Sequence, residues 1–217
     1  MRINIITYSI WFLVGFTSYA QTLYVESSLS SAYFKEYTND FGINTLDNTT
    51  SKPIELGFGG GVIFDISGNK RLKWDLGLNY NKYKINTSFV LGNTSTPTHY
   101  NLSYASLKTG PYFSLIDDPR VKLQVHSHGS FDYLVFGSNQ YNNEFLDLTN
   151  GHQLSKLLMN YHYGLALEIF ITSENSFYIS YDSKHSFRAK IDNDESYRIN
   201  VNSVMMGFRF KFKPLPN

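Results

Sequence analysis

The chain has 217 residues, no cysteine, 17% aromatic residues and a formal net charge of +1 at neutral pH. Without cysteine it has no disulfide framework, no thiolate metal cluster and no cysteine nucleophile. A net charge close to zero provides no electrostatic field for gripping nucleic acid, so we expect no nucleic-acid partner.

The first twenty residues have the features of an export signal. Arg2 precedes an apolar stretch over residues 5–16, and small residues follow it up to Ala20, where a peptidase would cleave. The apolar stretch is shorter than the roughly 20 residues that a spanning helix needs. We therefore predict a signal peptide over residues 1–20 and a single barrel domain over residues 21–217.

The rest of the chain is dominated by a two-residue alternation of apolar and polar side chains, which is typical of β-strands with two different faces. The longest example runs from Val121 to Phe136. The same rule predicts eight strands in chain order: Thr22–Phe34, Ile54–Ile66, Leu72–Ile85, Leu102–Ile116, Val121–Phe136, Met159–Thr172, Ser176–Ala189 and Arg198–Phe212.

The predicted connections alternate between short and long. The short ones are rich in turn-forming residues and cover 67–71, 117–120 and 173–175. The long ones are polar and cover 35–53, 86–101, 137–158 and 190–197. All turns therefore lie at one end of a meander and all long loops at the other. Because closing a meander removes its free edges, we predict an all-β fold, an eight-stranded antiparallel up-and-down barrel.

The composition of the polar face indicates whether the barrel lies in water or in a membrane. That face holds mainly Gly, Ser, Asn, Gln and His, which suit the narrow interior of an eight-stranded barrel better than a water-exposed surface. Aromatic residues near strand ends on the apolar face predict interfacial girdles. These residues are Tyr33, Tyr80, Tyr104, Phe113, Tyr133, Tyr161, Phe177 and Tyr181. We therefore predict a transmembrane β-barrel with apolar side chains against lipid and polar side chains in the bore.

The last predicted strand carries alternating aromatic residues at Phe208, Phe210 and Phe212. Together with the eight strands, this pattern makes the chain resemble the small eight-stranded outer-membrane β-barrels of Gram-negative bacteria, such as OmpX and the membrane domain of OmpA. The resemblance implies export, insertion into the cell outer membrane and contact with outer-membrane lipid. It also implies that the three phenylalanines form a signal for the barrel-assembly machinery, that the turns face the periplasm and that the long loops face outside.

Counting along the strands places charged and polar side chains inside the bore. The predicted lumen network consists of Glu26, Asp75, Lys122, His126, His128, Ser130, His162, Glu168, Asp182 and Arg209. Because an unpaired charge in a confined space is costly, we expect the carboxylates to cluster around Arg209 and around Lys73, Lys122 and Lys211, which lie nearer the periplasmic end. The network would either stabilise a closed barrel or gate a narrow, porin-like pore.

His126 and His128 lie two residues apart on one strand face and are followed by Ser130 and Asp132. This spacing is compatible with two imidazole ligands for a metal, with His162 on a neighbouring strand as a further ligand, or with a Ser/His/Asp constellation. Neither pattern is specific, since one straight strand rarely supplies a complete triad. We expect a hydrogen-bonded network with no metal, no cofactor and no catalytic residue.

The long loops are the remaining candidate for a working surface, because exposed connections on a rigid scaffold often bind ligands. Their candidate apolar contact residues are Phe41, Tyr100, Tyr141, Phe145 and Leu148. The sequence favours a non-enzymatic outer-membrane barrel with a structural role or an extracellular ligand bound through the loops. The alternatives are a narrow channel for ions or small solutes, and an enzyme that acts on envelope lipid through His126, Ser130 or Glu168.

Overall fold

The computed structural model describes residues 22–38, 45–46, 52–66, 71–91, 94–141, 144–149, 154–190 and 195–212. The predicted signal segment 1–20 lies outside these residues, and so does Phe41. No helix in the described part of the chain is long and apolar enough to cross a membrane.

Ten antiparallel β-strands in the described part of the chain form one sheet. They are β1 (Thr22–Thr38), β2 (Ile54–Asp65), β3 (Leu72–Leu91), β4 (Thr94–Asp117), β5 (Val121–Tyr141), β6 (Glu144–Asp147), β7 (Leu157–Phe170), β8 (Asn175–Ser186), β9 (Ala189–Lys190) and β10 (Ser196–Lys211). The eight long strands pair in chain order, and β10 pairs with β1 to close the ring. The short β6 pairs with β5, and the short β9 pairs with β10. The predicted eight-stranded up-and-down barrel is therefore confirmed.

The strands β3, β4 and β5 extend farthest beyond their predicted limits towards the long-loop end. β3, β4 and β5 contain 20, 24 and 21 residues, about twice the roughly 9–11 residues that cross a bilayer at a tilt. Much of the predicted loop 86–101 is a regular β3–β4 hairpin, and the predicted loop 137–158 contains the end of β5 and all of β6. The three strands therefore form a wall that continues beyond the membrane.

Two bulges in the β4–β5 pair interrupt the strict alternation. One lies in β4 between Ser114 and Ile116. At the other, Val135 and Phe136 of β5 are both exposed, and beyond them odd-numbered residues such as Asn139 face the interior. A bulge adds one residue to one strand and so reverses which side each later residue faces.

Near the turns, apolar side chains face outward and polar side chains face the bore. Leu78 and Leu165 are 65% and 51% exposed, whereas Asp75 and His126 are 0% and 4% exposed. So large an apolar outer surface would be unfavourable in water and is suited to lipid tails. The predicted orientation of a transmembrane barrel is confirmed.

Towards the long loops the interior becomes apolar. This apolar plug consists of Ala32, Phe34, Tyr83, Ile85, Tyr100, Leu102, Tyr104, Leu134, Leu148, Leu154, Leu158, Tyr197, Ile199 and Val201. Its aromatic rings meet edge to face, with the Phe34 centroid 5.0 Å from that of Tyr100 and 5.9 Å from that of Tyr197. Such contacts add to the burial of apolar area in holding the loop end together.

The chemistry of the outer surface changes at the same height along the barrel axis as the chemistry of the interior. In β3, Leu78 faces outward and Asn79 faces the bore, whereas four residues later Lys82 faces outward and Tyr83 lies in the plug. The alternation of the strand is unchanged, but the chemistry of its two faces is exchanged. The barrel therefore has a membrane-spanning part with a polar interior and a water-exposed part with an apolar interior.

Seven of the eight predicted girdle residues lie on the outward face, and Tyr104 does not. Tyr104 is 0% exposed and belongs to the apolar plug. The prediction for it was wrong because even-numbered residues of β4, including Ser106 and Lys108, face the interior. That a residue is aromatic does not by itself show whether its side chain faces lipid or the interior.

Candidate functional site

Between the turns and the apolar plug, the interior is filled by a layer of buried polar side chains, here called the polar bore. It consists of Glu26, Asp75, Lys108, Gln124, His126, His128, Ser130, Asp132, His162, Glu168, Asp182, Lys184 and Arg209. Inward positions of seven of the eight long strands supply these residues, and β2 contributes inward-facing glycines instead. Nine of the ten residues predicted for the lumen network lie in this layer.

Glu26 is the centre of one buried ion pair. Lys108 Nζ donates a hydrogen bond to Glu26 Oε1 at 2.6 Å, Asn79 Nδ2 donates to the same oxygen at 2.7 Å, and Tyr178 OH donates to Oε2 at 2.5 Å. Three donors on one carboxylate offset the loss of its hydration. A Cβ atom at Gly77 would lie 2.9 Å from Lys108 Cε, so the glycine leaves room for the lysine.

Arg209 forms a second ion pair nearer the turns. Its Nη1 donates to Glu168 Oε2 at 2.7 Å and to Gln124 Oε1 at 2.6 Å. Ser176 Oγ donates to the other Glu168 oxygen at 2.5 Å, and the Tyr178 ring lies 4.4 Å from the guanidinium carbon. One carboxylate therefore does contact Arg209, as expected.

The three lysines expected beside the bore carboxylates lie at the turn-end rim. Lys73 Nζ is 3.1 Å from Asp65 Oδ1, and Lys122 Nζ is 2.5 Å from Asp117 Oδ1. Lys211 Nζ lies 4.4 Å from the centroid of the Phe170 ring at the same rim. Their long side chains reach water there, which avoids the cost of burying the charge. The turn end is where the strand count places these three lysines, but Lys73 and Lys122 pair with Asp65 and Asp117 rather than with the carboxylates of the polar bore.

The cations inside the bore are Lys108 and Lys184 instead, and neither was predicted from the sequence. Lys184 pairs with Asp132 and also donates to the hydroxyl of Tyr83 at 3.3 Å, directly below the apolar plug. The two-residue alternation of β8 does indicate an inward position for Lys184, because it lies two residues after the inward-facing Asp182. The alternation could not show that Lys184 pairs with Asp132, because β7 lies between β8 and β5 in the sheet.

Three histidines gather around two carboxylates. His126 Nε2 lies 3.0 Å from Asp182 Oδ1, and His162 Nδ1 lies 2.9 Å from Asp182 Oδ2. His128 stacks on His126 with ring centroids 4.9 Å apart, and its Nε2 lies 3.3 Å from Asp75 Oδ2. Pairing of β5 with β7 places His128 directly opposite His162, which explains the cluster.

Ser130, His162 and Asp182 have the connectivity of a nucleophile, a base and an acid. Ser130 Oγ lies 2.9 Å from His162 Nε2, while the other ring nitrogen contacts Asp182. These residues come from three strands, whereas the sequence suggested a set on one strand with His126 and Asp132. The Ser130 hydroxyl also lies 2.9 Å from Asp132 Oδ1, so its single proton has two possible acceptors. The arrangement has the geometry for abstracting a proton from serine.

Little free space adjoins this cluster. A cavity of about 30 Å³ is lined by Tyr83, Lys108, His128, His162 and Lys184, among others. That volume is enough for one or two water molecules. A typical small-molecule site measures roughly 300–1,000 Å³, so an ester or peptide substrate has no room beside Ser130 in this conformation.

The residues expected to form an external loop surface are divided between inside and outside. Tyr100 and Leu148 are 5% and 0% exposed and belong to the apolar plug, so the expectation of an external role for them was wrong. Phe145 in β6 is 72% exposed, and its neighbour Leu146 is 41% exposed. The side chain of Tyr141 lies outside the described part of the structure.

The three phenylalanines at the end of the chain all lie on the lipid-facing side. Phe208 and Phe210 in β10 are 45% and 37% exposed, and Phe212 just after the strand is 57% exposed. They continue the outward row of the last strand to the turn end of the barrel.

No family model matches the chain, and no curated protein sequence matches it. Solved structures do match. Neisserial surface protein A has a TM-score of 0.50 and 11% identity over 88% of this chain and 97% of that chain. The outer-membrane protease OmpT from Escherichia coli has a TM-score of 0.50 and 8% identity over 88% and 97%. A major outer membrane protein from Thermus thermophilus has a TM-score of 0.50 and 10% identity over 87% and 99%. At these identities the likeness shows the fold, which is that of the outer-membrane β-barrels.

Proposed function

We propose that this chain, which has the fold of the small outer-membrane β-barrels, is a non-conducting and non-enzymatic barrel that displays a rigid β-wall outside the membrane. The observation that carries the proposal is that the interior is filled at two successive levels. Arg209 and its partners fill the bore near the turns, and the apolar plug fills the loop end. A passing ion would have to displace a buried ion-pair layer and then an apolar layer.

Single-channel conductance of the refolded protein in a planar bilayer tests this proposal. We expect insertion without steady current steps. The variant Tyr104→Ala, which shortens one plug side chain, should also remain silent because the ion pairs below it are untouched. Steady openings of the wild-type protein would contradict the proposal and favour a narrow channel for ions or small solutes.

The long β3–β4–β5 wall supports a role in binding an extracellular ligand. Its strands keep their ladder pairing well beyond the lipid-facing belt, and Phe145 and Leu146 are exposed beside its end. If the wall is rigid, the amides of Tyr100 and Leu102 should be protected from hydrogen exchange about as well as those within the membrane. Rapid exchange at these amides would show that the wall is a mobile loop rather than a platform.

Residues 1–20 would direct export, and the last strand would be read by the barrel-assembly machinery before the barrel enters outer-membrane lipid. The outward row of Phe208, Phe210 and Phe212 supports this assignment. Cell fractionation should place the protein in the outer membrane, with faster gel mobility before boiling. Changing the three phenylalanines to serine should lower the fraction with that mobility, whereas the matched outward change Phe187→Ser should have little effect.

A second candidate function is hydrolysis of an acyl ester of envelope lipid, favoured only by the contact between Ser130 and His162. A fluorophosphonate probe distinguishes the two functions, since it labels an activated serine. Under the first proposal, the folded barrel takes no label. Labelling that disappears in Ser130→Ala would favour the enzyme.

A further inference from the structure

The polar bore contains unequal numbers of opposite charges. Its buried carboxylates are Glu26, Asp75, Asp132, Glu168 and Asp182, and its permanent cations are Lys108, Lys184 and Arg209. Each cation is held by one carboxylate. Five carboxylates against three cations leave two unmatched, Asp75 and Asp182. The ion-pair contacts of both are with histidines.

We propose that His126, His128 and Asp182 bind a divalent transition-metal ion inside the bore, with Zn²⁺ the expected ion. One ligand atom from each residue lies within 4.8 Å of the others, and His126 Nε2 is 3.0 Å from Asp182 Oδ1. Tetrahedral zinc with bonds of about 2.0–2.2 Å separates its ligand atoms by about 3.4 Å, so small side-chain rotations complete the site. Imidazole and carboxylate ligands suit zinc, and a doubly charged ion balances the two unmatched carboxylates.

Unsatisfied polar atoms lie in the same place. The buried polar atoms of the described residues that lack a hydrogen bond of standard geometry include His128 Nε2 and both carboxylate oxygens of Asp75. His128 and Asp75 are 4% and 0% exposed, so these atoms have no access to bulk water. Buried polar atoms without partners are rare and call for an explanation, such as an ion. A metal bound at His128 Nε2 satisfies the histidine and brings positive charge to the nitrogen that lies 3.3 Å from Asp75 Oδ2.

The surroundings of the three ligands suit a metal site. His162 Nδ1 holds Asp182 Oδ2 at 2.9 Å and thereby directs Oδ1 towards His126, as outer-shell histidine–carboxylate contacts do in metal sites. A Cβ atom at Gly164 would lie 2.6 Å from His126 Nε2, so the glycine leaves that nitrogen accessible. The adjoining cavity of about 30 Å³, lined by His128 and Asp182, has room for a water molecule as fourth ligand.

Zinc retention after refolding tests the site. The full chain is refolded in detergent with Zn²⁺, excess metal is removed with a chelator, and bound zinc is counted by elemental analysis. The folded wild type should retain about one Zn²⁺ per chain, and His128→Gln and Asp182→Asn should each reduce retention by at least about tenfold. His185→Gln removes an outward-facing histidine of β8 and should retain the metal.

Co²⁺ provides an independent readout, because its visible absorption depends on ligand type and geometry. The wild type refolded with Co²⁺ should show the bands of tetrahedral nitrogen and oxygen ligation, and His128→Gln should lose them. Gel mobility before boiling confirms that each variant is folded, and His128→Gln decides the matter if Asp182→Asn does not fold. A folded wild type that retains neither metal overturns the proposal, as does equal retention by both ligand variants.

Discussion

The two halves of the barrel interior fill the same narrow space with opposite chemistry. The polar bore is held by ion pairs such as Lys108 with Glu26, and the apolar plug by aromatic and aliphatic side chains such as Tyr104. The change occurs at the level where the outward residues change from Leu78 to Lys82. Inside lipid, an apolar interior gains nothing over apolar contact with the bilayer, so polar contacts must hold the strands together. Beyond the lipid, water drives apolar side chains inward as in a soluble protein.

The largest expected effect comes from breaking an ion pair in the polar bore. Lys108→Met removes the cation beside Glu26 and leaves that carboxylate buried with only neutral donors. We expect the free energy of unfolding to fall by about 3–5 kcal/mol. Urea-induced unfolding in lipid vesicles, followed by tryptophan fluorescence, measures it.

The matched control is Lys73→Met, which removes a lysine from an ion pair at the water-accessible rim. This variant should lower the free energy of unfolding by less than about 1 kcal/mol. Adding Glu26→Gln to Lys108→Met should recover part of the stability, because it removes the uncompensated charge. Equal losses for the two lysine variants would mean that the buried pair does not hold the bore.

A substitution that creates a cavity in the apolar plug should give the next largest loss of stability. Leu102 is 1% exposed among the plug side chains, and Leu102→Ala removes part of that contact. We expect a loss of about 2–5 kcal/mol in the same unfolding experiment. Asn101→Ala alters the neighbouring outward residue and should change the free energy of unfolding by less than about 0.5 kcal/mol. A mild effect of Leu102→Ala would indicate that the loop end is loosely packed.

The boundary between the two halves can be located with lysine substitutions along β3. Leu76 faces outward among lipid-facing residues, and Leu76→Lys should cost about 2–4 kcal/mol because it places a charge in the bilayer. Lys82→Leu, six residues farther along the same face, should change stability by less than about 1 kcal/mol. A gain in stability of about 2–4 kcal/mol for Lys82→Leu would show that lipid covers Lys82 and that the outer surface does not change where we place the boundary.

The alternation of inward and outward residues along each strand, here called strand parity, made most of the barrel predictable from the sequence. The backbone of a strand itself turns successive side chains to opposite faces. It placed Asp75, His126 and Glu168 inside without any knowledge of partners. Parity could not show the level at which the membrane ends. Alternation looks the same whether the inward face is polar or apolar, so Tyr104 was assigned to lipid and Tyr100 to an external loop.

The contacts within the candidate site were much less predictable. Tyr178 and Glu26 are 152 positions apart in the chain, and Ser130 and His162 meet only because β5 pairs with β7 in one register. A one-residue change of that register would turn all of these side chains to the other face. Sequence could therefore nominate the inward residues but could not assign their partners.

The smallest expected effect concerns the ion pair of Asp117 with Lys122 at the turn-end rim, where β4 ends and β5 begins. A hydrogen bond from Lys122 holds the pKa of the Asp117 carboxyl below its usual value. A lowered pKa in the folded state stabilises the fold above the unfolded value of about 3.9, and this contribution is lost as the pH falls through the folded pKa. Because Asp117 is exposed, Asp117→Asn should cost less than about 0.5 kcal/mol at neutral pH and nothing once the carboxyl is protonated. Urea unfolding at both pH values checks this, and a neutral-pH loss as large as that of Lys108→Met would remove the distinction between the rim and the polar bore.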